Sequence, residues 1–164
     1  MQHKVIDTKE VVIRFTGDSG DGMQLTGTLF ADASALYGND ISTFPDFPAE
    51  IRAPQGTVSG VSGFQVNIGS SEIRTPGDFC DVLVAMNPAA LRANAKWAKP
   101  TATIILDADT FDEKGIKKAG FKTDDPIAEL KIEDRHIIFC PITSLTKESL
   151  KDSGLDAKAI LRCK

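Results

Sequence analysis

Six consecutive residues, Gly17-Asp18-Ser19-Gly20-Asp21-Gly22, hold the pattern in this sequence best suited to chemistry. Glycines let a backbone approach a phosphate closely. A helix starting directly after them would add unpaired N–H groups and partial positive charge. Three glycines exceed the one or two that a tight strand-to-helix turn needs, yet the loop alone still admits both readings, a phosphate cradle and a plain turn. The two aspartates bring no help to an anion. Asp18 suits a helix cap, and Asp21 suits an acceptor for a ribose, an amide or a partner chain.

Several named motifs come close and fail. The dinucleotide pattern G-x-G-x-x-G spaces its glycines two and then three apart, whereas Gly17, Gly20 and Gly22 run three and then two. A Walker loop ends in Lys and Ser/Thr, but Met23-Gln24 stand there. The nucleophile elbow G-x-S-x-G needs a glycine where Asp21 stands. Gly17-Asp18-Ser19-Gly20 matches a serine-protease nucleophile segment, but His3 lies in a polar tail and His136 opens an apolar run. Gly20-Asp21-Gly22 matches the start of a thiamine diphosphate motif but lacks the Asn-Asn pair that would close it. No residue stands out as an acid, base or nucleophile.

Cys80, Cys140 and Cys163 are odd in number, far apart and without a C-x-x-C run, which argues for three buried, reduced thiols rather than a disulfide frame or metal site. The 164 residues suit one domain, and their net charge of −4 disfavours a general nucleic-acid binder. No stretch approaches the roughly 20 apolar residues of a membrane helix, and the N-terminus lacks a secretory core. The expectation is a cytoplasmic protein.

The elements that must position the loop follow from periodicity. Residues 1–10 read as a flexible tail and 11–164 as one domain. Residues 11–16 are β-branched and end at glycine, a strand. Residues 23–37 repeat Leu25, Leu29, Phe30, Ala33 and Leu36 at helical spacing. Pro45 and Pro48 make 43–48 irregular, and 53–56 is a further bend. Residues 57–68 alternate as a long strand, bulged, bent or closely approached at Gly60 and Gly63, and 72–74 suggest a short return strand. Strand 81–86, helix 88–97, strand 101–106, a short segment at 127–130, a buried strand at 136–141 and helices at 144–150 and 156–161 complete the pattern. The sum is an α/β fold: three layers, a mixed and mostly parallel sheet with helices on both faces, and a glycine-rich loop after the first strand. Residues 157–164 stop inside an apparently continuing helix, so the expected domain is truncated at its C-terminus.

Three segments together resemble the gamma domain of 2-oxoacid:ferredoxin oxidoreductases, most closely the N-terminal part of the 2-oxoglutarate-type alpha subunit. The first is residues 12–27, with the family's G-x-x-G-[QD]-G loop and a small residue four or five positions on. The second is Phe47-Pro48-Ala49-Glu50-Ile51-Arg52, similar to the family's P-E-x-R, leading to Glu72-Ile73; here Ala53-Pro54 replace the usual Gly-Gly. The third is Cys80-Asp81-Val82-Leu83-Val84-Ala85-Met86-Asn87, similar to D-x-L-[IV]-A-[LM]-N.

The resemblance implies a thiamine-diphosphate-dependent enzyme that converts a 2-oxoacid, here 2-oxoglutarate, to acyl-CoA, CO2 and reduced ferredoxin. It places thiamine diphosphate, Mg and iron-sulfur clusters in other domains or subunits, and implies an alpha-type domain and a thiamine-binding beta subunit as partners. It assigns coenzyme A contact to Gly17, Asp18, Ser19, Gly20, Asp21, Gly22 and Met23, with Arg52 and Asn87 as further contacts. Arg52 equally suits an interdomain ion pair, and Asn87-Pro88 a plain strand-to-helix turn. A pure assembly module and a stand-alone nucleotide-binding domain are the alternatives. On either family reading the piece is inactive alone.

Overall fold

A computed structural model describes residues 8–47, 60–161 and 163. They form a six-stranded sheet in the order β2-β3-β1-β4-β5-β6. The strands are β1 (Glu10–Asp18), β2 (Asp40–Asp46), β3 (Val61–Gly69), β4 (Cys80–Ala85), β5 (Ala98–Asp107) and β6 (His136–Cys140). The helices are α1 (Met23–Leu36), α2 (Pro88–Asn94), α3 (Glu113–Lys118), α4 (Pro126–Leu130), α5 (Ile142–Leu150) and α6 (Ala157–Leu161). β1, β4, β5 and β6 are parallel neighbours, while β3 runs antiparallel to both β1 and β2. The expected mixed, mostly parallel sheet is therefore the observed one.

Helices cover both faces. Residues paired in register point to one side, so Arg14, Gln65 and Leu83 share a face. On it, Leu83, Ile104 and Leu106 pack with Leu91 and Ala95 of the α2 region and with Ile132. On the opposite face Phe64 and Val66 pack with Ala31 of α1, joined by Phe15, Ile41 and Ile68. Each completely buried leucine side chain contributes about 1.5–3 kcal/mol relative to exposure, so the larger cluster beside α2 is the main apolar anchor.

Several expectations are corrected. Residues 43–46 belong to β2, because Pro45 sits on an edge strand where a missing N–H is tolerated. Residues 72–74 do not form a return strand. The loop that contains them is held by side chains of β3: Asn67 Nδ2 donates to Thr75 O at 3.0 Å and Gln65 Nε2 to Pro76 O at 2.9 Å. The β1–β3 register is unbroken from Glu10↔Gly69 to Asp18↔Val61, so β3 carries no bulge at Gly63. β6 is an edge strand with Phe139 exposed, not a buried one. Cys80 alone among the thiols is buried, and all three are free. The bend expected at 53–56 and most of the tail lie outside the described residues.

The helix expected at 23–37 is α1, and its seating on the sheet rests on small residues. Its repeat of Leu25, Leu29 and Leu36 faces away from the sheet, and the buried residues are Met23, Gly27 and Ala31. Small residues let the helix axis come close to β3: a Cβ added at Gly27 would stand 2.2 Å from Phe64 Cδ1. Gln24 pins the first turn, donating from Nε2 to Gly63 O at 2.7 Å.

Candidate functional site: a glycine turn at the switch point of the sheet

β1 is the strand at which the chain changes direction. From β1 it leaves over one face toward β2 and β3; from β4 it leaves over the other toward β5. In open α/β sheets the two diverging connections open a crevice at the carboxyl ends of such strands, where ligands bind. Residues 17–22 and Asn87 lie at that end of β1 and β4.

The loop is closed by a reciprocal pair. Asp21 N–H donates to Asp18 O at 3.0 Å, and Asp18 N–H donates to Asp21 Oδ2 at 3.0 Å. A Cβ at Gly17 would stand 2.9 Å from Asp21 Oδ2 and 3.1 Å from Met23 Cγ, so a side chain there would push aside the Asp21 carboxylate that closes the turn. Gly22 is the N-cap of α1 at φ 70, a left-handed conformation that favours glycine, and it offers no side-chain cap. The expectation that Asp18 caps α1 is not met. Its Oδ1 instead accepts from Asn87 Nδ2 at 2.9 Å. Asn87 Oδ1 accepts from Ala90 N–H at 2.8 Å, capping α2. One asparagine thus ties the glycine turn to the start of the next helix, more than a plain turn would need.

Ser19 and Gly20 are exposed, and a Cβ at Gly20 would meet nothing within 4 Å. Met23 is buried beneath the loop. Beside Asp18 and Asn87 a cleft of ≈ 170 Å³ continues past Ala89 and Thr110 to Lys118. The Thr110 hydroxyl lies 2.8 Å from Met86 O and 2.9 Å from Asp107 O, holding the floor of that cleft. The structure therefore brings Gly17 to Met23 together with Asn87. Arg52 lies outside the described residues.

Two polar centres were not anticipated. Arg14 is 6% exposed, with Nε donating to Asn94 Oδ1 at 2.9 Å, Nη1 to Gln65 Oε1 at 3.1 Å, and Nη2 ion-paired to Asp46. It links β1, β2, β3 and α2 from within the sheet. A charge placed among β-branched residues was the available signal. Second, Asp107 and Asp109 receive the start of α5: Thr143 Oγ1 donates to Asp107 Oδ2 at 2.7 Å and Ser144 N–H to Asp109 Oδ2 at 2.7 Å. Among the described residues no group of three or more His, Cys, Asp or Glu is placed to hold a metal ion, and no helix is long and apolar enough to cross a membrane.

Comparison with known proteins agrees with this fold. The family model for pyruvate ferredoxin/flavodoxin oxidoreductase matches residues 12–160. The chain is 46% identical over 156 residues to the 2-oxoglutarate oxidoreductase subunit KorA of Mycobacterium tuberculosis (strain ATCC 25618 / H37Rv), covering 95% of this chain and 24% of KorA. It superposes with TM-score 0.65 and 28% identity on a 2-oxoglutarate:ferredoxin oxidoreductase from Magnetococcus marinus with 2-oxoglutarate, coenzyme A and succinyl-CoA bound, covering 88% of this chain and 22% of that one. The gamma subunit of a keto/oxoacid ferredoxin oxidoreductase from Geobacter sulfurreducens PCA shares the fold at TM-score 0.58 and 21% identity, covering 85% of this chain and 66% of that one. The chain spans about a quarter of the length of the first two relatives. It belongs to the pyruvate ferredoxin/flavodoxin oxidoreductase family.

Proposed function

We propose that this chain is the gamma-type domain of a 2-oxoacid:ferredoxin oxidoreductase that converts 2-oxoglutarate and coenzyme A to succinyl-CoA, CO2 and reduced ferredoxin. Its own share is to hold coenzyme A at the glycine turn and to dock with the parts that carry the reaction. The observation that carries this reading is the glycine turn at the β1/β4 switch point. It has no side-chain cap on α1, an open face at Gly20, and Asp18 drawn aside by Asn87. The coenzyme A-bound relative of the same fold supports that ligand over a dinucleotide.

In this reading the N–H groups that open α1 take a phosphate of coenzyme A, with the helix dipole adding to the attraction. Asn87 restrains the Asp18 carboxylate that would otherwise repel the anion. Arg52 is a second proposed contact. Thiamine diphosphate would supply the carbanion chemistry of decarboxylation, and iron-sulfur clusters the electron path, from elsewhere in the enzyme. The described residues near the turn include no histidine or unpaired acid suited to proton transfer to a substrate, so the chain positions a substrate and leaves the bond-breaking to its partners.

The test is calorimetric titration of coenzyme A into the full-length oxidoreductase carrying Gly20→Val. The added side chain meets open space, so folding should be preserved while the ligand face is blocked. Affinity should fall by at least about tenfold, equivalent to about 1.4 kcal/mol. Unchanged affinity with an intact circular dichroism spectrum would remove the turn from the coenzyme A site.

A further inference from the structure

α1 carries apolar residues on two opposite faces, and only one of them is covered by this domain. Its 14 residues, MQLTGTLFADASAL, include a single charge, Asp32. At 3.6 residues per turn, Leu25, Leu29 and Leu36 fall within about 40° of one another, pointing away from the sheet-facing arc of Met23, Gly27 and Ala31. Leu25 is 64% exposed, Leu29 58%, Leu36 89% and the adjoining Tyr37 89%. A helix on a solvated surface normally presents charged and polar residues outward. This one presents leucines, the pattern of a middle layer.

The apolar surface continues beside the helix. In register, Phe15, Val84, Ile105 and Ile138 form one row across β1, β4, β5 and β6 on the α1 side of the sheet. Phe15 packs edge-on against Phe30 of α1, 5.5 Å between centroids, whereas Ile138 at the far end of the row is exposed. The outer stripe of α1 and this open end of the sheet lie on the same side of the molecule.

We infer that the outer face of α1 is the docking surface for the reaction-bearing remainder of the oxidoreductase, an inference that rests on the proposed function. Two observations select that occupant. The chain matches 24% of the length of KorA and 22% of the Magnetococcus marinus enzyme, so relatives carry the larger part of their mass outside this domain. The glycine turn forms the N-terminal end of α1, and a ligand held there needs reactive groups from another domain close to the same helix. The alternatives fit less well. Two copies packed about a two-fold axis along α1 would set Asp32 near its counterpart in an apolar seam, a like-charge contact that costs affinity. A membrane surface favours helices flanked by Lys and Arg, and α1 has neither.

Photo-crosslinking in the oxidoreductase assembled from its full-length chains tests this. With p-benzoylphenylalanine at position 29, irradiation should give adducts to polypeptide outside residues 1–164, in the same chain or another subunit. The same probe at position 114, in the exposed N-terminal turn of α3, serves as the reference and should give at most about a tenth of that yield. Adducts joining position 29 only to a second copy of α1, or a yield no higher than at position 114, would overturn the inference. In the same enzyme Leu29→Glu should raise hydrogen exchange across residues 23–37 about tenfold or more, and unchanged exchange would count against docking. Failure of the coenzyme A reading would appear as normal titration of Gly20→Val; failure of the docking surface would appear in the adduct map.

Discussion

Gly27→Ala is the most direct probe of how α1 is seated. The new Cβ would stand 2.2 Å from Phe64 Cδ1, 2.4 Å from Cγ and 2.8 Å from Cβ, where carbon atoms settle at about 3.5–4.0 Å. Rotating the ring cannot relieve the last contact, because Phe64 Cβ is fixed to the β3 backbone. Phe64 is also 6% exposed and packed with Ala31 and Val66. The helix must therefore move outward. Alanine in a helix interior gains about 1 kcal/mol over glycine, while overpacking costs about 1–3 kcal/mol. Three contacts below 3 Å place the cost near the upper end, for a net loss of about 1–2 kcal/mol. Urea unfolding followed by circular dichroism measures it. Combining Gly27→Ala with Phe64→Leu should restore part of the loss, with a coupling of about 1 kcal/mol or more in the double-mutant cycle. A higher urea midpoint for Gly27→Ala, with no coupling, would refute close seating and leave helix propensity as the dominant effect.

Arg14→Ala should cost about 2–4 kcal/mol in thermal or urea unfolding, because it strands Gln65 and Asn94 in the interior; Asp46 is half exposed and softens the loss. Arg14→Met, which refills the volume, should cost less. Asn87→Ala removes the α2 cap, worth about 1 kcal/mol, and frees Asp18. Asn87→Ser keeps a capping oxygen, so titration of both variants should show weakened coenzyme A binding while only Asn87→Ala loses the full cap contribution. Burial pushes the Cys80 thiol up to about 11, with Arg14 opposing the shift. In the folded protein it should stay unreactive toward thiol reagents near neutral pH, while exposed Cys163 reacts. The unfolded thiol ionises first, near its usual value of about 8.5. This contribution to stability is therefore complete below about pH 8.5 and is lost as pH rises toward 11, a loss that Cys80→Ala should remove from the pH profile.

What could be read in the sequence was the part governed by local rules. β1, its glycine turn and α1 follow from a β-branched run, three glycines and a helical repeat. β4 and α2 follow from Asp81 to Ala85 and a proline at the helix start. The switch-point crevice was therefore legible as a place. Its internal bonding was not: Asp18 had two chemically sound partners, the α1 N-terminus and Asn87, and only the approach of β4 to β1 decides between them. The orientation of α1 could not be read from spacing for a related reason. Its leucine arc and its Met23, Gly27 and Ala31 arc are both apolar, and the choice depends on Phe64, a residue far along the chain that fits only against a glycine. β2 was hidden by Pro45, which forbids a central strand and permits an edge. The buried network of Arg14 was not readable locally, because its partners come from three other elements.

The placement of β1 at the heart of the sheet also sets an order for acquiring structure. Its antiparallel neighbour is β3 and its parallel neighbour is β4, both made well after it during synthesis. Closing such separated segments costs chain entropy before any pairing rewards it. Val11, Val12 and Ile13 therefore emerge from the ribosome without a partner, find the first in Val61–Gly69, and gain the second only when Cys80–Ala85 has followed. Until β3 has been made the nascent chain presents an unpaired β-branched segment, and β1 keeps one open edge until β4 has followed.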